Sequence, residues 1–218
     1  MLDIDELMSD LSLRRPIFHS EADFQHALAW RIHETRPDCD VRLEFNPSPD
    51  ADSRMAVDIW VRLPEGTVAI ELKYCTRELQ QEWRNERFVL RQHGGQPPRR
   101  YDFVKDVQRL EWTLQIPSPA DYGFAVLLAN ESMYWTPPTR TNITDIAFRI
   151  HDGHRIGSGE LRWGISTGAK TKQNREEPIY LNGTYALYWR DYSTFGNNPG
   201  EQFRYVAVAV PPAKERTP

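Results

Sequence analysis

Residues 55–75 read MAVDIWVRLPEGTVAIELKYC, and their alternating pattern predicts a β-hairpin. The apolar face consists of Val57, Ile59, Val61 and Leu63 in the first strand and of Val68, Ile70, Leu72 and Tyr74 in the second. Residues 64–66 (PEG) supply the turn between the strands. In the second strand, Glu71 and Lys73 lie together on the face opposite the apolar side chains. These two charges either face solvent or belong to a site.

The register of the hairpin brings a third charged residue to the same face. A turn centred near residue 65 places Asp58 opposite residue 72, to within one position, so that Asp58 shares a face with Glu71 and Lys73. Two carboxylates held close together repel each other unless a proton or a cation lies between them. Such oxygen ligands suit Mg²⁺, which keeps water ligands and accepts phosphate oxygens. A lysine beside that ion could hold an attacking water and stabilise charge on a phosphate.

The rest of the chain predicts an α/β fold of one domain. Further predicted elements are a helix at residues 20–34 capped by Ser20, a strand at 41–46, helices at 77–91 and 102–114, and strands at 123–130, 184–192 and 203–210. The charged segment before residue 18 predicts only a lead-in. We expect a core at residues 18–130 and a β-rich extension at residues 131–218 that packs on it, within a single domain 1–218.

Asp58, followed after twelve residues by Glu71-Leu72-Lys73, resembles the signature of the PD-(D/E)XK nuclease superfamily. The resemblance extends over residues 18–130, because the core of that family runs helix, three-stranded meander, helix, strand. It implies a restriction-endonuclease-like fold, with a central mixed sheet flanked by helices. The chain departs from the family pattern at Val57, which stands where proline would precede the aspartate.

Carried over by position, the resemblance implies a role for each residue of the motif. Asp58, Glu71 and the backbone carbonyl of Leu72 would hold the metal, and Lys73 would be the catalytic lysine. Many members of the family place a glutamate near the start of the first helix, where this chain has Glu21, with Gln25 one turn on as an accessory residue.

The function implied is a Mg²⁺-dependent nuclease that hydrolyses phosphodiester bonds, with Mn²⁺ as a substitute ion. DNA is the expected substrate rather than RNA, because most of the resembled superfamily acts on DNA. Three alternatives remain open. The first is an inactive module of the same fold that binds nucleic acid or a protein, and the second is an enzyme acting on a small phosphorylated molecule. The third is an ordinary solvent-facing hairpin in which Asp58 and Lys73 form a cross-strand ion pair.

A basic segment follows the hairpin at residues 83–100. Nucleic-acid contacts are predicted for Arg84, Arg87, Arg91, Arg99 and Arg100, with Lys105 on the next helix extending the surface. The alternative is a solvated polar face. Because the net charge of the chain is −4, nucleic-acid binding requires a local basic patch of this kind.

Composition and termini predict a cytoplasmic protein that does not enter a membrane. Cys39 and Cys75 show neither a metal-binding spacing nor a disulfide framework, which favours reduced thiols. The acidic N-terminus lacks the layout of a signal peptide, and the apolar run at 124–129 is too short to span a bilayer. The C-terminal half is the expected contact surface if the chain forms a homodimer or binds a protein partner.

Overall fold

The computed structural model describes residues 2–48, 50, 55–117, 119–140 and 143–212. Within these ranges the helices are α1 (Ile4–Arg14), α2 (Glu21–Thr35), α3 (Gln96–Thr113) and α4 (Ala169–Lys172), with 3-10 helices at Ser132–Tyr134 and Ile146–Phe148. The strands are β1 (Asp40–Phe45), β2 (Val57–Leu63), β3 (Gly66–Cys75), β4 (Leu79–Trp83), β5 (Glu86–Leu90), β6 (Tyr122–Ala129), β7 (Arg155–Ile156), β8 (Gly159–Leu161), β9 (Ile179–Leu181), β10 (Tyr185–Ala186), β11 (Trp189–Thr194) and β12 (Gln202–Val210). No helix in the described part of the chain is long and apolar enough to cross a membrane.

A six-stranded sheet in the order β1-β2-β3-β6-β12-β11 forms the centre of the molecule. β3 runs parallel to β6, and the other neighbouring strands are antiparallel. The prediction of a mixed α/β fold with a central mixed sheet flanked by helices is confirmed. The C-terminal half does more than pack on the core, because β12 pairs with β6 and carries β11 as the sheet edge.

Two hydrophobic cores lie on opposite faces of this sheet. The first contains Ile70, Leu72 and Tyr74 of β3 together with the apolar sides of α1 and α2. The second contains Ala69 and Cys75 of β3 together with the apolar side of α3 and parts of the C-terminal half. Because side chains alternate along a strand, Glu71 and Lys73 point towards the α3 face.

The two predicted helices of the core are present as α2 and α3. Ser20 caps α2 as expected, since its hydroxyl accepts a hydrogen bond from the amide of Asp23 at 3.1 Å. α3 begins at Gln96 rather than at residue 102. Its first turn contains Pro97 and Pro98, whose missing amide hydrogens would have no partner within the helix at that place.

The N-terminal segment forms the helix α1 and is not merely a lead-in. Asp3 caps this helix by accepting a hydrogen bond from the amide of Glu6 at 3.0 Å. Leu7, Met8 and Leu11 are buried in the first core at helical spacing. The sequence does contain this amphipathic pattern, but the charged residues between the apolar ones made it hard to recognise.

The predicted helix at residues 77–91 is wrong, because this segment forms the hairpin β4–β5. Its two-residue turn, Arg84-Asn85, has positive φ angles of 50° and 64°. Positive φ at both positions is typical of the hairpin turn whose twist matches that of the flanking strands, and asparagine favours it. Phe88 and Leu90 of β5 are buried at a strand period of two, which is the signal that the helical interpretation missed.

Candidate active site

The site begins where β2 separates from β3 at the open end of the hairpin. The ladder between these strands stops before Leu72, so the β2-facing amides of Leu72 and Tyr74 take other acceptors. Asp58 Oδ2 accepts from the amide of Leu72 at 2.6 Å, and Glu21 Oε2 accepts from the amide of Tyr74 at 2.7 Å. Two carboxylates thus take the place of a paired strand, one on each side of Lys73 along the chain.

Where the strands separate, the side chain of Val57 lies on the opposite face of the sheet from the one that the sequence predicts. The register of the hairpin agrees with the prediction to within one position, because continuing the pairs of β2 with β3 sets Asp58 opposite Glu71. Val57, however, packs in the second core beside Trp60, whereas Ile59 packs in the first. The expected single apolar face of β2 is therefore wrong at Val57, where the strand leaves its partner.

Gln25 holds the backbone at this point. Its Nε2 donates to the backbone carbonyl of Asp58 at 2.7 Å and to Glu44 Oε1 at 2.8 Å. Burial raises the pKa of Asp58, the amide of Leu72 opposes this, and the charges of Glu21 and Glu44 raise it again. Gln25, the predicted accessory residue, thus lies beside Asp58. Glu44, which the sequence did not predict, also belongs to this cluster.

Glu71 is the most deeply buried acid of the site. Its side chain is 1% exposed, and its Oε1 lies 3.0 Å from Nη2 of Arg109 on α3. Among the described residues, neither carboxylate oxygen of Glu71 has a hydrogen-bond donor in good geometry. Burial, and then the charge of Asp106, hold the pKa of Glu71 well above its ordinary value. The negative charge of the Glu71 carboxylate is therefore not stabilised by well-formed hydrogen bonds.

Lys73 lies within the same cluster and pairs with an acid from α3. Its Nζ is 2.7 Å from Asp106 Oδ2 and donates to the carbonyl of Leu72 at 3.0 Å. Burial lowers the pKa of Lys73, but the charges of Asp106, Glu21 and Asp58 outweigh burial and raise it overall. Lys73 is therefore a cation whose position is fixed by Asp106 and the Leu72 carbonyl.

These contacts contradict the solvent-facing interpretation of the hairpin. Glu71 is almost fully buried, and the side chain of Lys73 is only 16% exposed. The acid that pairs with Lys73 is Asp106, not Asp58. α3 covers this face of the sheet, so the charges are enclosed between β3 and the helix.

Besides Glu44, the sequence did not predict Asp106 and Arg109 as site residues. Arg109 contacts Glu71, lies 3.3 Å from Asp106 and donates to the carbonyl of Ala56. A usable signal existed for Asp106, which stands between Phe103 and Leu110 on the apolar side of α3. An acid at a core-facing helix position is costly to bury unless it has a partner, and here that partner is Lys73.

The oxygen donors of the site fit Mg²⁺. Within the described ranges, no group of three or more His, Cys, Asp or Glu side chains is placed to hold a metal ion. Mg²⁺ commonly uses only one or two carboxylates and keeps several waters, and Asp58, Glu71 and the Leu72 carbonyl are oxygen donors of the kind that it binds. The Glu71 oxygens, buried without a well-placed donor, are suitable cation ligands.

A basic cleft of about 370 Å³ opens beside Glu21. Among the residues that line it are His19, Arg91, His93 and Arg99. Two of the six predicted nucleic-acid contacts are therefore placed together, at the edge of the acidic cluster.

The other predicted contacts lie elsewhere. Arg84 stacks on Trp83 at 4.2 Å, and Arg87 Nη2 donates to Gln80 at 3.1 Å, both on the exposed β4–β5 hairpin. Lys105 lines a second cleft, together with other residues of α3 such as Arg109 and Trp112. The predicted nucleic-acid contact of Arg100 is wrong, because its side chain is 2% exposed and its Nη1 lies 2.7 Å from Asp145 Oδ2. A buried and paired guanidinium is not available to nucleic acid.

Asp106 makes the stability of the protein depend on pH. Burial raises its pKa to about 6, although the charges of Lys73 and Arg109 oppose the shift. A carboxyl with a raised native pKa binds protons more tightly than the unfolded chain does, so its stabilisation is lost as pH rises through about 6. As the pH rises from about 4 to about 7, the free energy of unfolding of Asp106→Asn should increase by about 1 to 3 kcal/mol relative to that of wild type.

Urea denaturation across this pH range measures the effect. Asp106→Leu also removes the titrating group, so it must show the same pH slope as Asp106→Asn, whatever its absolute stability. A constant difference between Asp106→Asn and wild type at every pH would contradict the assignment.

The cluster joins residues from α2, β2, β3 and α3, which are distant in sequence but converge at one end of the hairpin. Its chemistry is that of enclosed carboxylates beside two cations, next to a basic cleft. No protein-family model, curated protein or solved structure matches this chain.

Proposed function

We propose that this protein is a metal-dependent nuclease that hydrolyses phosphodiester bonds, acting on DNA rather than RNA. The observation that carries the proposal is the enclosed cluster of Asp58, Glu71 and Lys73 at the open end of the hairpin. A simple ion pair would not require a buried and a partly buried carboxylate, both with raised pKa values, beside a lysine.

The element order supports a restriction-endonuclease-like fold. The chain runs α2, the antiparallel meander β1–β2–β3, α3 and then β6 parallel to β3, which is the order that the resemblance implies. The motif residues occupy the central strands of this unit, and Glu21 begins its first helix. Fold and motif thus point to the same family.

In the proposed site, Asp58, Glu71 and the Leu72 carbonyl would hold Mg²⁺ or Mn²⁺. The ion, when bound, supplies Lewis acidity and lowers the pKa of a bound water. Lys73 orients the attacking water and stabilises the negative charge that develops on the phosphate. Asp106 positions Lys73 by its contact at 2.7 Å.

The remaining residues bind and place the substrate. Arg91 and Arg99 face the cleft that Glu21 borders, where their guanidinium groups suit phosphate oxygens. Glu21 is fixed by the amide of Tyr74 and adds negative charge at the edge of the metal site. This geometry fits a strand that enters along the cleft and presents one phosphate to the cluster.

A second candidate function is a nuclease-fold module without catalysis that binds nucleic acid or a protein. The ion pair between Arg109 and Glu71 favours it, because an arginine already neutralises one of the two metal ligands. In that case the buried charges only hold α3 on the sheet. Metal binding distinguishes the two functions.

Cleavage of plasmid and labelled oligonucleotides with Mg²⁺, with Mn²⁺ or with EDTA tests the proposal. We expect metal-dependent cleavage by wild type and a loss of about a hundredfold in kcat for Lys73→Met, as for removal of one transition-state donor. Asp58→Asn removes a metal ligand and should weaken Mn²⁺ binding measured by calorimetry as well as cleavage.

Asp40→Asn is the matched control, because Asp40 is a half-exposed acid of β1 paired with Arg62 at 3.2 Å. It should cleave like wild type. Equal activity in wild type, Asp58→Asn and Lys73→Met would refute the site, and absence of Mn²⁺ binding would favour the second candidate.

A further inference from the structure

A second cleft, of about 330 Å³, lies beside α3 and reaches the acidic cluster through Arg109. Its lining includes Met55, Lys105, Arg109, Trp112 and Tyr180. The volume is near the lower end of the range for small-ligand sites. The function proposed above assigns no role to this cleft, and Arg109 of its lining contacts the proposed metal ligand Glu71.

Two large aromatic side chains in this cleft are unusually exposed. Trp112 on α3 is 42% exposed, and Tyr180 on β9 is 51% exposed. Lys105, Arg109 and Trp112 follow one another at spacings of four and three residues, which places them on one side of the helix. Aromatic rings beside cations are the combination that binds the bases and phosphates of single-stranded nucleic acid.

The wall that carries Tyr180 is rigidly attached to α3. Glu111 is 1% exposed, and its carboxylate accepts hydrogen bonds from the amides of Asn182 and Gly183 and from the hydroxyl of Tyr185 at 2.6 to 3.0 Å. Gln108 Nε2 donates to the carbonyl of Tyr180 at 3.0 Å. These bonds fix the cleft in shape and engage Glu111, the one acid among the described residues that line it, which reduces its repulsion of a phosphate.

We propose that this cleft binds a nucleobase of single-stranded nucleic acid next to the phosphate that is cleaved. The base stacks on Trp112 and Tyr180, and Lys105 and Arg109 contact the flanking phosphates. Arg109 lies 3.0 Å from Glu71, so the bound base is one side chain away from the metal ligands. The proposal rests on the nuclease function and adds that the substrate is an unpaired strand, because a paired base cannot enter the cleft.

Binding measured without turnover tests this inference separately from catalysis. Fluorescence anisotropy in EDTA gives the Kd of wild type and variants for a labelled single-stranded DNA and for the corresponding duplex. We expect Trp112→Ala to raise the Kd for the single strand by about 5- to 150-fold, the range for loss of one stacked base. The Kd for the duplex should change by less than about twofold, and Trp112→Phe should retain most of the affinity.

The chain offers matched controls for both aromatic residues. Trp30 on α2 is 65% exposed and Tyr188 is 60% exposed, and neither lines the cleft. Trp30→Ala and Tyr188→Ala should leave the Kd unchanged, whereas Tyr180→Ala should weaken single-strand binding even if Trp112→Ala fails to fold.

The outcomes separate the subsite from the nuclease function. If wild type does not bind the single strand, or if Trp112→Ala and Tyr180→Ala weaken single strand and duplex equally, the subsite is wrong. If cleavage is present and both Kd values are unchanged, the subsite alone is wrong. If no metal supports cleavage but the expected Kd pattern is found, the nuclease function fails and the nucleobase site stands.

Discussion

Replacing Arg100 by methionine is expected to lower the free energy of unfolding by about 3 kcal/mol. The guanidinium of Arg100 is 2% exposed, lies 2.7 Å from Asp145 and donates to the carbonyl of Met133 at 2.6 Å. Removing one partner of a buried ion pair leaves the other charge without compensation, which costs about 3 to 5 kcal/mol. The lower end applies because Arg149 also contacts Asp145, at 3.0 Å.

Arg175→Met is the matched control for this loss, measured by urea denaturation. Arg175 pairs with Asp102 through two contacts of 2.6 and 2.8 Å, so the chemistry is the same. Its side chain is 28% exposed and that of Asp102 is 21% exposed, and we therefore expect about 1 kcal/mol or less. Equal losses for the two variants would show that the burial of Arg100 does not determine its contribution.

The sequence of the basic segment could not show which of its arginines are buried, and Arg100 is the example. In the sequence it adjoins Arg99, and both were predicted to contact nucleic acid. α3 turns by about 100° per residue, so neighbouring positions face different surroundings. Arg99 reaches the cleft beside Glu21, while Arg100 reaches Asp145 in a segment far away in sequence. Local pattern could not distinguish them, because the difference arises from tertiary packing.

The hairpin was predictable because its constraints are local. Alternation fixed the faces of β3, and the turn fixed the register that brings Asp58 to Glu71. The same reasoning failed for β4–β5, where the turn Arg84-Asn85 contains no glycine and the strands are only five residues each. In that segment the alternation was present but weaker than the helical propensity of its residues.

The contribution of α3 to the site required the structure. Nothing local in the sequence relates Arg109 or Asp106 to β3. Parallel pairing of β3 with β6 brings α3 across the face that carries Glu71 and Lys73. Only the family resemblance pointed to Glu21 and Gln25, because their contacts with Tyr74 and Asp58 are long-range.

Arg109→Met is expected to destabilise the metal-free protein and to strengthen metal binding. Glu71 is 1% exposed, and among the described residues Arg109 is the cation closest to its carboxylate, at 3.0 Å. Without that cation the carboxylate stays buried and uncompensated, which costs about 3 kcal/mol near neutral pH. The loss should shrink as the pH falls, because burial raises the pKa of Glu71 and a protonated carboxyl needs no counter-ion.

A bound divalent ion should reverse that loss, because it would supply the charge that Arg109 supplies in the metal-free state. One unit charge about 4 Å from another is worth about 4 kcal/mol at an effective dielectric constant of 20, so removing the arginine should tighten Mn²⁺ binding at least about tenfold. Calorimetry gives the Kd, and thermal melting with and without Mn²⁺ gives the stabilisation. Arg109→Lys keeps the charge and should behave more like wild type than like Arg109→Met. If Mn²⁺ binds wild type and Arg109→Met with the same Kd, Arg109 and the metal do not compete for Glu71.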